Sequence, residues 1–164
     1  IMNNDIVMSE TVELITSLFF STYYIEDKRR FFTNCHNWLK RNGYLAIHLV
    51  DRNKFDPIIN AADPLTIISA QSYAKERITT SVVKFNTHDY KANFKLDNSK
   101  EATMHETFKE KKTGKIRNHE HKLYMPTQNE VLSYAKDVGF KLVKVINMKP
   151  CQMSEQYIYI LQKQ

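Results

Sequence analysis

The stretch NWLKRNGYLAIHLVDR, residues 37–52, decides the fold of this chain. In it, a polar turn with Gly43 precedes YLAIHLV at 44–50, a continuous apolar run typical of a strand buried on both faces. VELITSL at 12–18 is a second run of this kind. The segment between the two strands has helical periodicity, and Gly43, which follows two basic residues, is predicted to be the C-cap of that helix.

The helix between the strands is amphipathic. Its apolar residues at helical spacing are Tyr24, Phe31, Phe32, Cys35, Trp38 and Leu39, and its basic residues on the other side are Lys28, Arg29 and Arg30. A strand, a helix and a second strand in this order predict a βαβ crossover, which requires parallel pairing in a sheet covered by helices. The fold class predicted is therefore α/β.

The pattern of apolar and polar residues changes after a loop-like segment at 51–63. Four segments with period-two alternation predict an antiparallel meander: ERITTSVVKFN at 76–86, DYKANFKLD at 89–97, EATMHETFKEK at 101–111 and KIRNHEHKLYM at 115–125. A helix follows, with Thr127 as N-cap, Glu130 completing a capping box and Gly139 as the stop. Two final strands are predicted at 141–148 and 155–163.

Length and composition exclude several classes of protein. The chain has 164 residues, 42% of them hydrophobic and 26% charged, which is typical of one globular domain, predicted at 1–164. Its three glycines lie far apart, so it contains neither a GxGxxG nor a GxxxxGK[ST] loop. Two cysteines cannot form a disulfide framework, and no run approaches the ~18 apolar residues of a membrane span. We therefore expect a cytoplasmic protein without a membrane partner.

The net charge of +6 raises the possibility of an acidic partner. The densest cluster of basic residues, KEKKTGKIR at 109–117, falls at a predicted hairpin tip, where lysines commonly protect a strand edge. We therefore expect no nucleic-acid partner. The alternative is a non-catalytic interaction module that binds an acidic partner or RNA through this basic arm.

The order of these elements resembles the C-terminal half of a class I S-adenosylmethionine-dependent methyltransferase with a Rossmann-like sheet. The matching pieces are Glu13–Leu18 at the fourth strand, Trp38–Leu45 at the "WLKPGG"-like turn and fifth strand, Gly139-Phe140 before the sixth strand, and Tyr157–Leu161 at the antiparallel seventh strand. The four-stranded insertion, at about 66–125, is similar to that of small-molecule N-methyltransferases of the glycine or amino-sugar type.

The resemblance implies S-adenosylmethionine as cofactor and a small-molecule acceptor, methylated at nitrogen and held by the insertion. The D/ExGxGxG loop and the acidic end of the second strand, which members of the family carry, are not present in this sequence. We therefore expect a fragment of a longer methyltransferase whose missing half, or a partner chain, completes the sheet. We expect this chain alone to be inactive. Asn42, Phe19 and Phe20 also depart from the family pattern.

Candidate site residues follow the first two strands, because ligands bind beyond the carboxyl ends of parallel strands. The resemblance implies that Ser17, Leu18 and Phe19 contact the cofactor. Of the two tyrosines that follow, Tyr23 is predicted in the pocket wall and Tyr24 in the core.

The second strand ends in a cluster of His48, Asp51 and Arg52. A His–Asp pair can take a proton from an acceptor amine, and Arg52 can bind the acceptor. The alternative is that His48 is a satisfied polar side chain.

The fourth strand of the meander carries His119 and His121 on one face. With His105 of the neighbouring strand they could form a three-nitrogen metal site, but we expect them to line the acceptor pocket without a metal. Arg117 and Tyr124, on the same strand, are predicted to hold a carboxylate or hydroxyl of the acceptor.

Overall fold

The computed structural model describes residues 3–57, 74–97, 100–151 and 153–164. The expected start of the insertion, at about residue 66, lies outside the described residues. Among the described helices, none is long and apolar enough to cross a membrane.

Eight strands and two α-helices are described. In chain order they are β1 (Val12–Ser17), α1 (Lys28–Trp38), β2 (Leu39–Val50), β3 (Thr80–Lys84), β4 (His88–Leu96), β5 (Glu101–Glu110), β6 (Ile116–Tyr124), α2 (Gln128–Val138), β7 (Phe140–Asn147) and β8 (Gln156–Lys163). One sheet has the order β1-β2-β8-β7 and the other, which we call the arm, has the order β3-β4-β5-β6. The mixed α/β class and the antiparallel meander are both confirmed.

The first sheet contains the predicted parallel crossover. β1 pairs in parallel with β2, with Leu14 opposite Tyr44 and Ser17 opposite Ile47. β8 lies antiparallel between β2 and β7. The carboxyl ends of β1 and β2 therefore meet at one edge of the sheet, where a ligand site is expected.

Helix α1 is shorter than the sequence pattern predicted. It begins at Lys28 because the Asp27 carboxylate accepts a hydrogen bond from the backbone N–H of Arg30 at 2.9 Å, as an N-cap does. Tyr24 precedes the helix, in the 3₁₀ turn Ser21–Tyr24. The prediction that Tyr24 belongs to the apolar face of this helix was wrong.

Lys28 was predicted on the exposed side of α1, but only 3% of it is exposed. Its ammonium donates hydrogen bonds to the carbonyl oxygens of Ile25 and Tyr124. The side chain thereby ties the start of α1 to the end of β6 in the arm.

Gly43 is not a helix C-cap. Helix α1 ends at Trp38, and Gly43 lies inside β2. A Cβ at this position would lie 2.9 Å from the Lys40 carbonyl oxygen and 3.2 Å from that of Glu13. Glycine is therefore required because the backbone of β2 itself at Lys40, and then that of β1 at Glu13, leave no room for a Cβ. The positive φ of 64° belongs to its neighbour Asn42.

The base of the arm packs into the same buried cluster as the first sheet. The arm contributes Phe94, Ala102 and Leu123 to this cluster, and Met125 follows directly after β6. Phe94 packs edge-to-face on Phe55, with ring centroids 5.5 Å apart. This packing fixes the arm above the ends of β1 and β2.

Helix α2 has the predicted capping box, and this gives a testable pH dependence. The Glu130 carboxylate accepts from the Thr127 N–H at 2.8 Å and pairs with Lys100 at 2.5 Å. The Lys100 ammonium and the Thr127 donors lower the pKa of Glu130 to about 2. A carboxyl whose pKa is lowered on folding stabilises the protein above its unfolded pKa, 4.5, and this contribution disappears as the pH falls to about 2.

We therefore expect Glu130→Gln to lower the free energy of unfolding by about 1 kcal/mol near neutral pH, and to have a much smaller effect near pH 2. Urea unfolding across this pH range measures the difference. If the free energy of unfolding of Glu130→Gln falls with decreasing pH as steeply as that of the wild type, a group other than Glu130 is responsible for the pH dependence.

Candidate active site at the sheet edge

The turn after β1 is shaped by two residues with left-handed backbones. Phe19 and Phe20 have φ of 50° and 61°, a conformation that is unfavourable for bulky side chains. The hydroxyls of Ser17 and Thr22, both buried, are 2.9 Å apart and close the turn. Leu18 and Phe19 are left 41% and 58% exposed at the edge of the sheet. Strained backbone of this kind concentrates at ligand sites.

Tyr23 and Tyr24 exchange the places predicted for them, which were the pocket wall for Tyr23 and the core for Tyr24. Tyr23 is fully buried, and its hydroxyl accepts a hydrogen bond from the Val50 N–H at 2.9 Å. Burial raises the pKa of Tyr23. Tyr23 therefore fixes the turn to the end of β2, while Tyr24, which is 50% exposed, faces the arm.

His48 is buried next to this turn. Its ring centroid lies 6.4 Å from that of Phe19 and 5.6 Å from that of Phe20. The imidazole hydrogen-bonds to the Gln156 side chain, and burial lowers the pKa of His48. Its Nε2 atom has no hydrogen-bond partner among the described residues. A buried nitrogen without a partner is rare in folded proteins, which makes His48 a candidate site residue.

Asp51 and Arg52 have partners of their own. The Asp51 carboxylate accepts from the Asn53 N–H at 3.0 Å, as in an Asx turn. The Arg52 guanidinium donates to the carbonyl oxygens of Met125 at 2.7 Å and Asp97 at 3.1 Å. Arg52 thereby fastens the end of β2 to the base of the arm. The catalytic pairing of His48 with Asp51 stays a prediction.

A hydrogen-bonded chain of four side chains joins the turn to the arm. The Tyr24 hydroxyl lies 2.9 Å from Nδ1 of His121, and Nε2 of His121 lies 3.0 Å from Oε2 of Glu106. The Tyr90 hydroxyl donates to Oε1 of Glu106 at 2.6 Å. Partial burial and the Glu106 carboxylate raise the pKa of both tyrosines, which keeps them protonated as donors. Nδ1 of His119 lies 3.9 Å from Oε2 of Glu106.

The alternative metal site of three histidines does not form. His105 pairs with Glu120 across the strands, whereas Glu106 pairs with His119, so His105 lies on the opposite face of the arm. Nδ1 of His105 is 3.6 Å from the Glu120 carboxylate. The group that joins His119 and His121 is Glu106, and we call these three residues the Glu–His–His cluster.

The other two predicted acceptor-binding residues lie apart from one another. Arg117 shares the face of His119, and its guanidinium carbon stacks 5.0 Å from the centroid of Phe108. It lines a groove of about 340 Å³ together with His88, Phe108, Glu110 and Lys115. Tyr124 lies on the opposite face of β6, because it is an odd number of residues from His119 and His121.

Three residues of the chain from Tyr24 to Tyr90 were not predicted as site residues. Tyr24 was predicted in the core, and neither Tyr90 nor Glu106 was among the predicted site residues. The alternation of side chains along paired strands could have identified Glu106 and Tyr90, because their strands pair without a bulge from β4 to β6. The position of Tyr24 depends on the turn and has no such signal.

No protein-family model matches the sequence, and no curated protein matches it significantly. Several solved structures do share its fold. An S-adenosylmethionine-dependent methyltransferase from Clostridium acetobutylicum matches with a TM-score of 0.70 and 14% identity, over 98% of this chain and 61% of that one. CalS10, an amino pentose methyltransferase from Micromonospora echinaspora solved with S-adenosylmethionine bound, matches with a TM-score of 0.62 and 12% identity, over 98% and 62%.

The sugar N-methyltransferase KedS8 from Streptoalloteichus sp. matches with a TM-score of 0.62 and 11% identity, over 98% of this chain and 60% of that one. The chain thus spans about three fifths of the length of the proteins it matches. At these identities the likeness shows the fold, which is that of a region of these methyltransferases.

Proposed function

We propose that this chain is part of an S-adenosylmethionine-dependent methyltransferase that methylates a nitrogen atom of a small molecule. The observation that carries the proposal is the contact between the turn after β1 and the arm, where Tyr24 meets His121 at 2.9 Å. This contact brings the sheet edge at the carboxyl ends of β1 and β2, where ligands bind in α/β folds, next to a polar face of the arm. A cofactor bound at the edge would supply an electrophilic methyl group on a sulfonium sulfur.

The cofactor side of this site is the end of β1 and β2. In this proposal β1, β2, β7 and β8 are the fourth, fifth, sixth and seventh strands of the methyltransferase sheet. The exposed Leu18 and Phe19, and the left-handed backbone of Phe19, support a ligand at this edge. Backbone groups from Ser17 to Phe19 would hold the cofactor, as the resemblance of the sequence implies.

The rest of the cofactor site would come from polypeptide outside these 164 residues, either of the same gene product or of a partner chain. β1 pairs only with β2 among the described strands. Leu14 and Tyr44 are 57% and 40% exposed, and with Gly43 they line a surface groove of about 680 Å³. Exposed apolar surface next to a free strand edge is typical of an interface. A strand beside β1 would supply the glycine-rich loop.

The acceptor side of the site is the chain of hydrogen bonds on the arm. An amine attacks a methyl group with its lone pair, so an ammonium group must first lose a proton. His121 can take that proton, because Glu106 stabilises the imidazolium form across a contact of 3.0 Å. Tyr24, half exposed at the sheet edge, orients the imidazole and can hydrogen-bond the acceptor. Positioning of the two reactants supplies the remainder of the rate enhancement.

The full gene product is expected to bind S-adenosylhomocysteine at one site per chain and to transfer a labelled methyl group from S-adenosylmethionine to an amine. Calorimetry measures the binding, and a panel of amino sugars and amino acids, analysed by mass spectrometry, identifies the methylated atom. Products methylated at oxygen or carbon would contradict the nitrogen target. Failure to bind S-adenosylhomocysteine, both by the full gene product alone and by its complex with any chain that co-purifies with it, would overturn the methyltransferase proposal itself.

A further inference from the structure

The Glu–His–His cluster has the composition of a metal site. One possible ligand atom from each of Glu106, His119 and His121 lies within 4.8 Å of the other two. Two imidazoles and one carboxylate form the protein ligand set of catalytic zinc sites, which keep a fourth position open. We propose that this cluster binds a divalent transition-metal ion of the zinc type. The inference stands on the geometry of the arm and does not rest on the methyltransferase proposal.

The distances within the cluster fit a tetrahedral ion after small movements. Zinc binds imidazole nitrogen and carboxylate oxygen at about 2.0–2.2 Å, which places tetrahedral ligands about 3.3–3.6 Å apart. Oε2 of Glu106 lies 3.0 Å from Nε2 of His121 and 3.9 Å from Nδ1 of His119. These two distances lie on either side of the required one. The ligand nitrogens of His119 and His121 lie within 4.8 Å of one another, so side-chain movements of about 1 Å bring all three atoms to tetrahedral spacing.

Two tyrosines hold the ligands from outside. Tyr90 donates to Oε1 of Glu106 at 2.6 Å, which leaves Oε2 for the ion. Tyr24 contacts Nδ1 of His121 at 2.9 Å, which leaves Nε2 for the ion. Metal ligands are commonly oriented by outer hydrogen bonds of this kind, in which the second ring nitrogen of the histidine is a donor. The cluster therefore has both the ligands and their supports.

The charge and exposure of the cluster also suit a dication. Histidines bind a metal ion through a deprotonated ring nitrogen, and the Glu106 carboxylate supplies a negative charge to balance part of the charge of the dication. The side chains of Glu106 and His119 are 18% and 43% exposed, so an ion can enter and the fourth position stays open to solvent.

A bound ion would change the protonation of His121. An ion on Nε2 of His121 would replace the hydrogen bond to Glu106, and the ring proton would move to Nδ1, from which it would be donated to the Tyr24 hydroxyl. Bound metal thus removes the nitrogen that would accept a proton from an amine.

Cobalt(II) titration of the full gene product, purified without a histidine tag, tests the site. The visible absorption of tetrahedral Co²⁺ reports binding, and Zn²⁺ is expected to displace it at one ion per chain. His119→Ala and Glu106→Gln should each weaken Co²⁺ binding by at least about 100-fold, and Tyr90→Phe by about 10–100-fold, the usual cost of losing an outer hydrogen bond.

His105→Ala is the matched control, because His105 lies beside a glutamate on the opposite face of the same strands. It should bind Co²⁺ as the wild type does. The proposal is overturned if the wild type gives no tetrahedral Co²⁺ spectrum, or if His105→Ala loses binding while His119→Ala retains it. Circular dichroism checks the folding of each variant. His119 is exposed, so His119→Ala decides the question if Glu106→Gln fails to fold. The absorption of bound Co²⁺ and its displacement by Zn²⁺ are both measured without methyl transfer.

Discussion

Phe32→Ala is expected to lower the free energy of unfolding by about 3–5 kcal/mol, the usual cost of deleting a buried aromatic ring. Phe32 is fully buried in α1. Its ring packs edge-to-face on Phe31, with centroids 5.1 Å apart, and on Phe140 at the start of β7, at 6.2 Å. The alanine leaves a cavity between α1 and the first sheet, which the flanking rings can fill only in part. Urea unfolding of the two proteins measures the difference.

Phe19→Ala is the matched control, because it removes the same side chain from a position that is 58% exposed. Its effect should stay within about 0.5 kcal/mol, as for surface substitutions in general. Equal losses in the two variants would mean that the turn after β1 is buried in solution. A loss of less than about 1 kcal/mol in Phe32→Ala would contradict the packing of α1 described above.

The elements that the sequence predicted best are those with local signals. The capping box of α2 requires only Thr127 and Glu130 at the right spacing, and Gly139 adopts the left-handed conformation, φ 107°, that ends the helix. The alternating strands of the arm likewise follow from residues within each strand. Such signals need no knowledge of the rest of the fold.

Gly43 shows where local reasoning fails. A glycine after two basic residues has the pattern of a helix end, but its role is set by the carbonyl oxygens of Lys40 and Glu13. Glu13 belongs to β1, 30 residues earlier in the chain. The tighter contact, at 2.9 Å, comes from the local path of the chain at Lys40, whereas the contact at 3.2 Å with Glu13 arises only when the two strands pair, which a single sequence does not show.

The candidate site was predictable in location but not in its contacts. The rule that ligands bind at the carboxyl ends of parallel strands pointed to the turn after β1. Which of Tyr23 and Tyr24 is buried depends on the left-handed backbones of Phe19 and Phe20, which are rare for phenylalanine. The pairing of Glu106 with His119, by contrast, was predictable. Strict alternation of side chains along β5 and β6 places these two residues on one face and His105 on the other.

His121→Ala is expected to reduce kcat for methyl transfer by about 10²–10⁴-fold, the usual contribution of a positioned acid–base group. The expectation rests on the proposed function and on the place of His121 between Tyr24 and Glu106. The assay uses the full gene product with a chelator present, so that a bound metal ion does not occupy the imidazole. Tyr24→Phe keeps the ring and loses one hydrogen bond, so a loss of only about fivefold is expected.

The dependence on pH and rescue by imidazole separate proton transfer from a structural role. If His121 takes the proton of the acceptor, raising the pH should restore part of the activity of His121→Ala, because more of the amine is then neutral. Added imidazole should do the same. His105→Ala, on the opposite face of the arm, should retain wild-type kcat. A His121→Ala enzyme with raised KM and unchanged kcat would show that the residue only binds the acceptor, and the proton would then be lost to water before the amine binds.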